Sequence, residues 1–301
     1  LKCNTKAHQF FNLNTPGGPW AWRDLSMEGI WVSADDLTYS GNSAIKATYG
    51  ADYLLENCDI GYFGYGGVQT YNVDGFAAIN NRIHHSGWEG FLFSIGSHNI
   101  RTAFNIFSEN KWHYDINGYD VISTSDRFMK TRSVYQTWGV TIERNASTYD
   151  VYDITFNSPQ FIDTGDVGFN VSSYDAAYPV SNIVVNNPIM NINAGNDTRF
   201  GLAFDINNVE DMQVNGGIIK NCQTTDSVTW HGAVAKVDGY VKRFSMQGPV
   251  IENCMWGFLL ELAGTGGALD TFAVNGASIN DVTTLAVFGN LTGATLTGVD
   301  I

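Results

Sequence analysis

Residues 84 to 144 hold a concentration of side chains able to do chemistry. Four of the six histidines lie there (His84, His85, His98 and His113), with three of the eight tryptophans (Trp88, Trp112 and Trp138). Seven of the 16 basic residues fall between Arg82 and Arg144. Glu89, Asp115, Asp120 and Asp126 supply carboxylates. This is the inventory of a sugar cleft, because flat aromatic faces stack on pyranose rings. Two carboxylates flanking a glycosidic bond can serve as general acid and as base or nucleophile. Trp88, Trp112, Trp138, Tyr135, Lys111, Arg127, Lys130, Arg132 and His85 are the candidate substrate-binding groups. The rival chemistry is β-elimination on a uronic acid. It needs a cation beside the substrate carboxylate and a base, which His113, Lys111, Arg127, Lys130, Arg132 or Tyr135 could supply. The plain alternative is that the acids are solvated strand and loop residues and that His84-His85 is a polar corner. No His/Cys/Asp/Glu spacing reads as a metal site, and no cofactor motif is present. Asp35-Asp36 reads as a turn.

What must position these groups follows from the rest of the chain. It has 301 residues, 44% of them hydrophobic and only 15% charged, with 32 glycines. That composition builds a large core and excludes disorder. A net charge of −14 opposes nucleic-acid binding. No apolar run reaches the roughly 18 residues of a membrane span. Four scattered cysteines form no disulfide framework.

An internal repeat decides the fold. A small-apolar-x-apolar step recurs as Gly67-Val68-Gln69, Gly90-Phe91-Leu92-Phe93, Gly139-Val140-Thr141-Ile142, Gly168-Phe169-Asn170-Val171 and Gly201-Leu202-Ala203-Phe204. A degenerate copy, His113-Tyr114-Asp115-Ile116, fills the widest gap. Asn-led steps such as Asn57-Cys58-Asp59-Ile60 and Asn80-Asn81-Arg82-Ile83, and short alternating strands such as Ile183-Val184-Val185, recur in phase. Three short strands per turn, with Asn and Gly at the corners, predict an all-β parallel β-helix of about ten coils, whose right hand is implied by the resemblance given below. A single domain over 1–301 is expected. Within each step the first and third residues after Gly point inward and the second outward. Gln69, Leu92, Asp115 and Thr141 are therefore expected in one exposed row. Residues 119 to 138 lack clear periodicity and read as an excursion folding back over that row. The same register places Cys222 over Cys254, as buried thiols or, as the alternative, a disulfide.

With these coils in view, the chain resembles the pectate-lyase-like right-handed β-helix proteins, most of all the central domain of bacteriophage tailspikes. The coils that carry the resemblance, such as Ile79-Asn80-Asn81-Arg82-Ile83 and Gly90-Phe91-Leu92-Phe93, extend over nearly the whole chain. The polygalacturonase motifs, the pectate-lyase Arg-x-Pro-x-x-Arg and the epimerase Asp-Pro-His-Asp are absent. The resemblance implies a homotrimer on a virion surface, or an extracellular protein, that binds and usually cleaves a bacterial capsule or O-antigen. It also implies that head and C-terminal trimerisation parts of a longer chain are missing. Glycoside hydrolysis is the first expectation. Polysaccharide lysis and a non-catalytic adhesin or rod are the alternatives.

Overall fold

The structure is a computed structural model. It describes residues 1–2, 10–14, 17–29, 43–131, 137–164, 166–192, 200–224, 232–261, 268–288, 295–296 and 299–300. Tyr135, Arg132 and Asp35-Asp36 lie outside the described residues.

Described residues fold as a right-handed parallel β-helix. Each coil contributes three strands, and each strand pairs in parallel with its counterpart one coil away. The first sheet runs through Phe11–Leu13, Ile45–Ala47, Val68–Thr70, Glu89–Phe93, Trp112–Ile116, Trp138–Arg144 and Val167–Ser173, then into the opening of Leu202–Asn215. The second sheet includes Val73–Ile79, His98–Ala103, Val121–Thr124 and Tyr152–Asn157. The third includes Asp59–Gly61, Arg82–His84, Ile106–Ser108, Arg127–Met129 and Gln160–Ile162.

Residues repeat along the rod at about 4.8 Å, so identical side chains stack. Phe91 stacks on Tyr114 at 5.6 Å, Phe128 on Phe161 at 4.8 Å and Phe169 on Phe204 at 5.5 Å between ring centroids. All six are fully buried. Alternation in the first sheet breaks at the repeat glycine, where two successive residues point inward. A Cβ at Gly139 would meet the Phe161 ring at 2.7 Å, and one at Gly168 would meet Met190 at 2.4 Å. Glycine is kept there by core volume.

Corners turn through left-handed backbone. Asn57, Asn80, Asn187 and Asn253 carry φ values of 48 to 56°, the region Asn tolerates best among residues with a Cβ. Their amides also link coils, as in Asn80 Nδ2 donating to Asn57 Oδ1 at 2.8 Å. A second ladder runs inside. Asn81 Nδ2 donates to Asn105 Oδ1 at 2.8 Å, and Asn105 Nδ2 donates to Asp126 Oδ1 at 2.9 Å.

Residues 119 to 131 are no excursion. Val121–Thr124 and Arg127–Met129 are regular second and third strands. Ser123 and Asp126 occupy buried positions, and those two polar residues hide the apolar period. Cys222 and Cys254 are free and buried, in the register expected of neighbouring coils. Trp22 packs inward on Tyr53, with centroids 6.0 Å apart. Among the described residues no helix is long and apolar enough to cross a membrane.

Candidate active site

The outer face of the first sheet carries three columns of side chains. One column runs Ser43, Gly66, Glu89, Trp112, Trp138. The next runs Lys46, Gln69, Leu92, Asp115, Thr141, Asn170, Asp205, Lys236. The third includes Asn117, Glu143, Ser172 and Asn207. The predicted row is present and faces outward, but it is not exposed. Gln69, Leu92, Asp115 and Thr141 are 0 to 6% accessible. They form the covered floor of that outer face, the candidate cleft.

Three carboxylates cross this floor diagonally, one per coil: Glu89, Asp115 and Glu143. Burial pushes Glu89 well above the usual carboxylate range, and the nearby Asp115 charge adds to it, against a smaller opposing pull from Lys111. Burial also pushes Asp115 well up, with the Glu143 charge next. Glu143 is only part-buried and is raised by desolvation, but two amides hold its charge. Asn145 Nδ2 donates to its Oε2 at 3.0 Å and Asn170 Nδ2 to its Oε1 at 3.1 Å. Asp115 Oδ1 accepts from Asn117 Nδ2 at 2.6 Å. Tyr65 and Tyr71 line the cleft beside Glu89. Burial and the fields of Glu89 and Asp115 push both phenols above their ordinary value, so they stay protonated.

Asp115 pairs with Thr141, and Glu143 stands two residues further along that strand. One coil step and two residues along a strand separate their backbones by about 8 Å. Carboxyl groups ~6.5–9.5 Å apart leave room for a water between acid and base.

The structure brings Glu89, Asp115, Lys111, Trp88, Trp112 and Trp138 together. Lys111 Nζ lies 3.4 Å from the Trp88 ring centroid, a cation–π contact. The tryptophans do not offer free faces. Trp112 stacks on Trp138 at 4.8 Å and leans on Trp88 at 4.9 Å. Successive coils place like residues at stacking distance, so the rings cover one another.

The remaining predicted residues lie elsewhere. Asp126 is fully buried inside the rod and is corrected to a core residue. Its Oδ2 accepts from the hydroxyls of Thr102, Ser123 and Tyr114 at 2.6 to 2.7 Å, and its Oδ1 from Asn105 N at 2.7 Å, besides the ladder bond. His113 is likewise a core residue, packed near Phe107 and Phe128. Burial drives its imidazole down to about 3, so it is neutral and beyond a substrate's reach. Asp120 sits at the corner before the second sheet, paired with Arg101 at 2.9 Å. Arg127 is on the third sheet, and Lys130 pairs with Glu109 at 2.8 Å on the corner that follows it. His85 is at that same corner one coil before Glu109 and two before Lys130. Its Nδ1 lies 2.9 Å from His84 Nδ1, His84 Nε2 lies 2.9 Å from Asp59 Oδ1, and its ring stacks on Tyr62 at 4.6 Å. Glu143 and Gln69 complete the cleft. Gln69 stood in the predicted row without a role, and Glu143 was reachable by extending the second-residue rule two residues along the strand. Among the described residues no group of three His, Cys, Asp or Glu could hold a metal.

Residues 17–133 match the family model described as "Right handed beta helix region". No curated protein matches the sequence. Among solved structures, the A-module of a mannuronan C-5 epimerase from Azotobacter vinelandii superposes with a TM-score of 0.69 at 12% identity, covering 96% of this chain and 76% of that one. The catalytic unit of a GH87 alpha-1,3-glucanase from Streptomyces thermodiastaticus gives 0.60 at 14% identity, covering 84% of this chain. This chain spans 54% of that unit's length. An alginate lyase from a Paenibacillus species gives 0.54 at 9% identity, covering 88% of this chain and 99% of that one. At these identities the likeness is one of fold.

Proposed function

We propose that the chain hydrolyses a polysaccharide on the outer face of its first sheet. Asp115 is the general acid and Glu143 the general base. The observation that carries this reading is the unequal environment of two adjacent carboxyls. Asp115 is buried between two other acids, and burial with the neighbouring charge favours its protonated form. Glu143 reaches solvent and has both oxygens fixed by amide donors. Pairs whose surroundings push their pKa values apart mark acid and base roles. Asp115 protonates the glycosidic oxygen while Glu143 takes a proton from the attacking water. Backbone positions about 8 Å apart leave room for a water between the two side chains, as an inverting mechanism requires.

Fold neighbours that act on glucan and alginate support a glycan substrate, although one β-helix hosts several chemistries. The protonated state of Tyr65 and Tyr71 makes them poor bases for elimination. On this reading the substrate is a bacterial surface polysaccharide. The bearer is a trimeric virion or secreted protein, and sedimentation should then give three times the 33.0 kDa of this chain.

Asp115→Asn and Glu143→Gln test the assignment. Each is expected to lower kcat by about 10²–10⁴, the range for loss of a proton-transfer group, with glycan binding retained. Wild-type turnover in either variant removes that residue from its role.

A further inference from the structure

Asp115 and Glu143 are joined by a bridge of hydrogen bonds. Asn117 stands two residues after Asp115 and one coil before Glu143. Its Nδ2 donates to Asp115 Oδ1 at 2.6 Å. Asn145 stands two residues after Glu143. Its Nδ2 donates to Glu143 Oε2 at 3.0 Å and to Asn117 Oδ1 at 3.2 Å. Tyr149 closes the bridge from the loop that follows. Its hydroxyl accepts from Asn145 N at 2.9 Å and donates to Asn117 Oδ1 at 3.3 Å, while its ring packs against the core.

The bridge has a direction. An ionised carboxylate only accepts, so Glu143 turns the NH₂ end of Asn145 towards itself. The second hydrogen of that NH₂ goes to Asn117, which must offer its carbonyl there and its own NH₂ at the far end. Asp115 Oδ1 therefore accepts, and the Asp115 proton is left to Oδ2. A reversed bridge would set the Asn145 carbonyl against the Glu143 carboxylate. Other ionisable groups face the bridge. Glu89, Tyr65 and Tyr71 lie on the Asp115 side. Arg144, paired with Asp150 at 2.7 Å, lies on the Tyr149 side.

We infer that Asn117, Asn145 and Tyr149 are positioning residues that couple the two carboxyls, so that the charge on Glu143 fixes which oxygen of Asp115 carries the proton. The roles of acid and base in this inference rest on the hydrolytic reading of the cleft. Each amide also holds its carboxyl below the level that burial alone would set. Tyr149 touches neither carboxyl, yet its hydroxyl holds both asparagines in place. Loosening the amides lets both carboxyls rise, so the acid and alkaline limits of activity should move together to higher pH.

Side-chain amide NMR of the ¹⁵N-labelled chain across a pH titration tests the bridge without turnover. The NH₂ signals of Asn117 and Asn145 are expected to move together with one midpoint, although Asn117 does not touch Glu143. Glu143→Gln should abolish that step in both signals while Glu89 is still present. Tyr149→Phe keeps the ring in the core. It should at least halve the Asn117 step and lower kcat about fivefold, the worth of one hydrogen bond, with KM unchanged and both pH limits raised. Separate midpoints for the two amides overturn the inference, as does an Asn117 step that survives Glu143→Gln. Coupled amides without cleavage of any glycan would keep the bridge and remove hydrolysis. Cleavage by Tyr149→Phe with wild-type kcat and pH limits would keep hydrolysis and remove the positioning role.

Discussion

Single residues in this molecule owe their chemistry to which side of one strand they occupy. Asp115 and Asp126 are eleven residues apart, are both buried, and have opposite roles. Asp126 has five donors and belongs to the internal ladder. Asp126→Ala leaves those donors without an acceptor. It should destabilise the fold by roughly 3 kcal/mol or more, visible as a fall in urea midpoint, with turnover per folded molecule unchanged. Asp115 is raised by burial and by like charge, so its ionised form is disfavoured in the fold. A carboxyl raised on folding binds more protons folded than unfolded. Stability then falls as pH rises from the unfolded value near 4 towards the folded one. Asp115→Asn removes that penalty and should raise the thermal midpoint at pH 7, by roughly 2–4 °C per kcal/mol gained. The same ordering sets kinetics. Glu143 must be ionised and Asp115 protonated, so kcat/KM is expected to fall on the acid side as Glu143 protonates and on the alkaline side as Asp115 loses its proton. A profile without the alkaline limb would contradict Asp115 as the acid.

Strands and corners are where the sequence was most legible, and where its limits show. The Gly-apolar step gave the inward and outward alternation of the first sheet, so the row through Gln69, Leu92, Asp115 and Thr141 could be written down in register. Burial of that row could not be read, because accessibility depends on neighbouring columns and not on strand period. Asp126 misled for a different reason. A polar residue at an inward position looks like an excursion unless its hydrogen-bond partners are known, and Thr102, Tyr114 and Ser123 come from three different strands, with Asn105 from a corner. The tryptophans were placed correctly, but stacking between coils consumes the faces that a lone tryptophan would offer a sugar. Glycine sets the spacing of the element. Gly168→Val would drive a side chain into Met190 and Ile192, and overpacking of that kind costs about 1–3 kcal/mol. A midpoint unchanged from wild type would show that this row does not face the core.

At the scale of the whole rod, stacked coils give the cleft its length. Each coil adds one position to each column every 4.8 Å or so, so acids, amides and tyrosines from successive coils form extended rows. A β-helix thus suits a polymer better than a small molecule. The fold followed from the repeat, and the proposed reaction from the local environment of two carboxyls that the repeat brings side by side. Cleavage of bacterial capsules and O-antigens in H₂¹⁸O, read by mass spectrometry of the released oligosaccharides, tests this most directly. The account predicts one ¹⁸O atom per cut, saturated products, and no release by Asp115→Asn. Unlabelled products ending in an unsaturated uronate would contradict it.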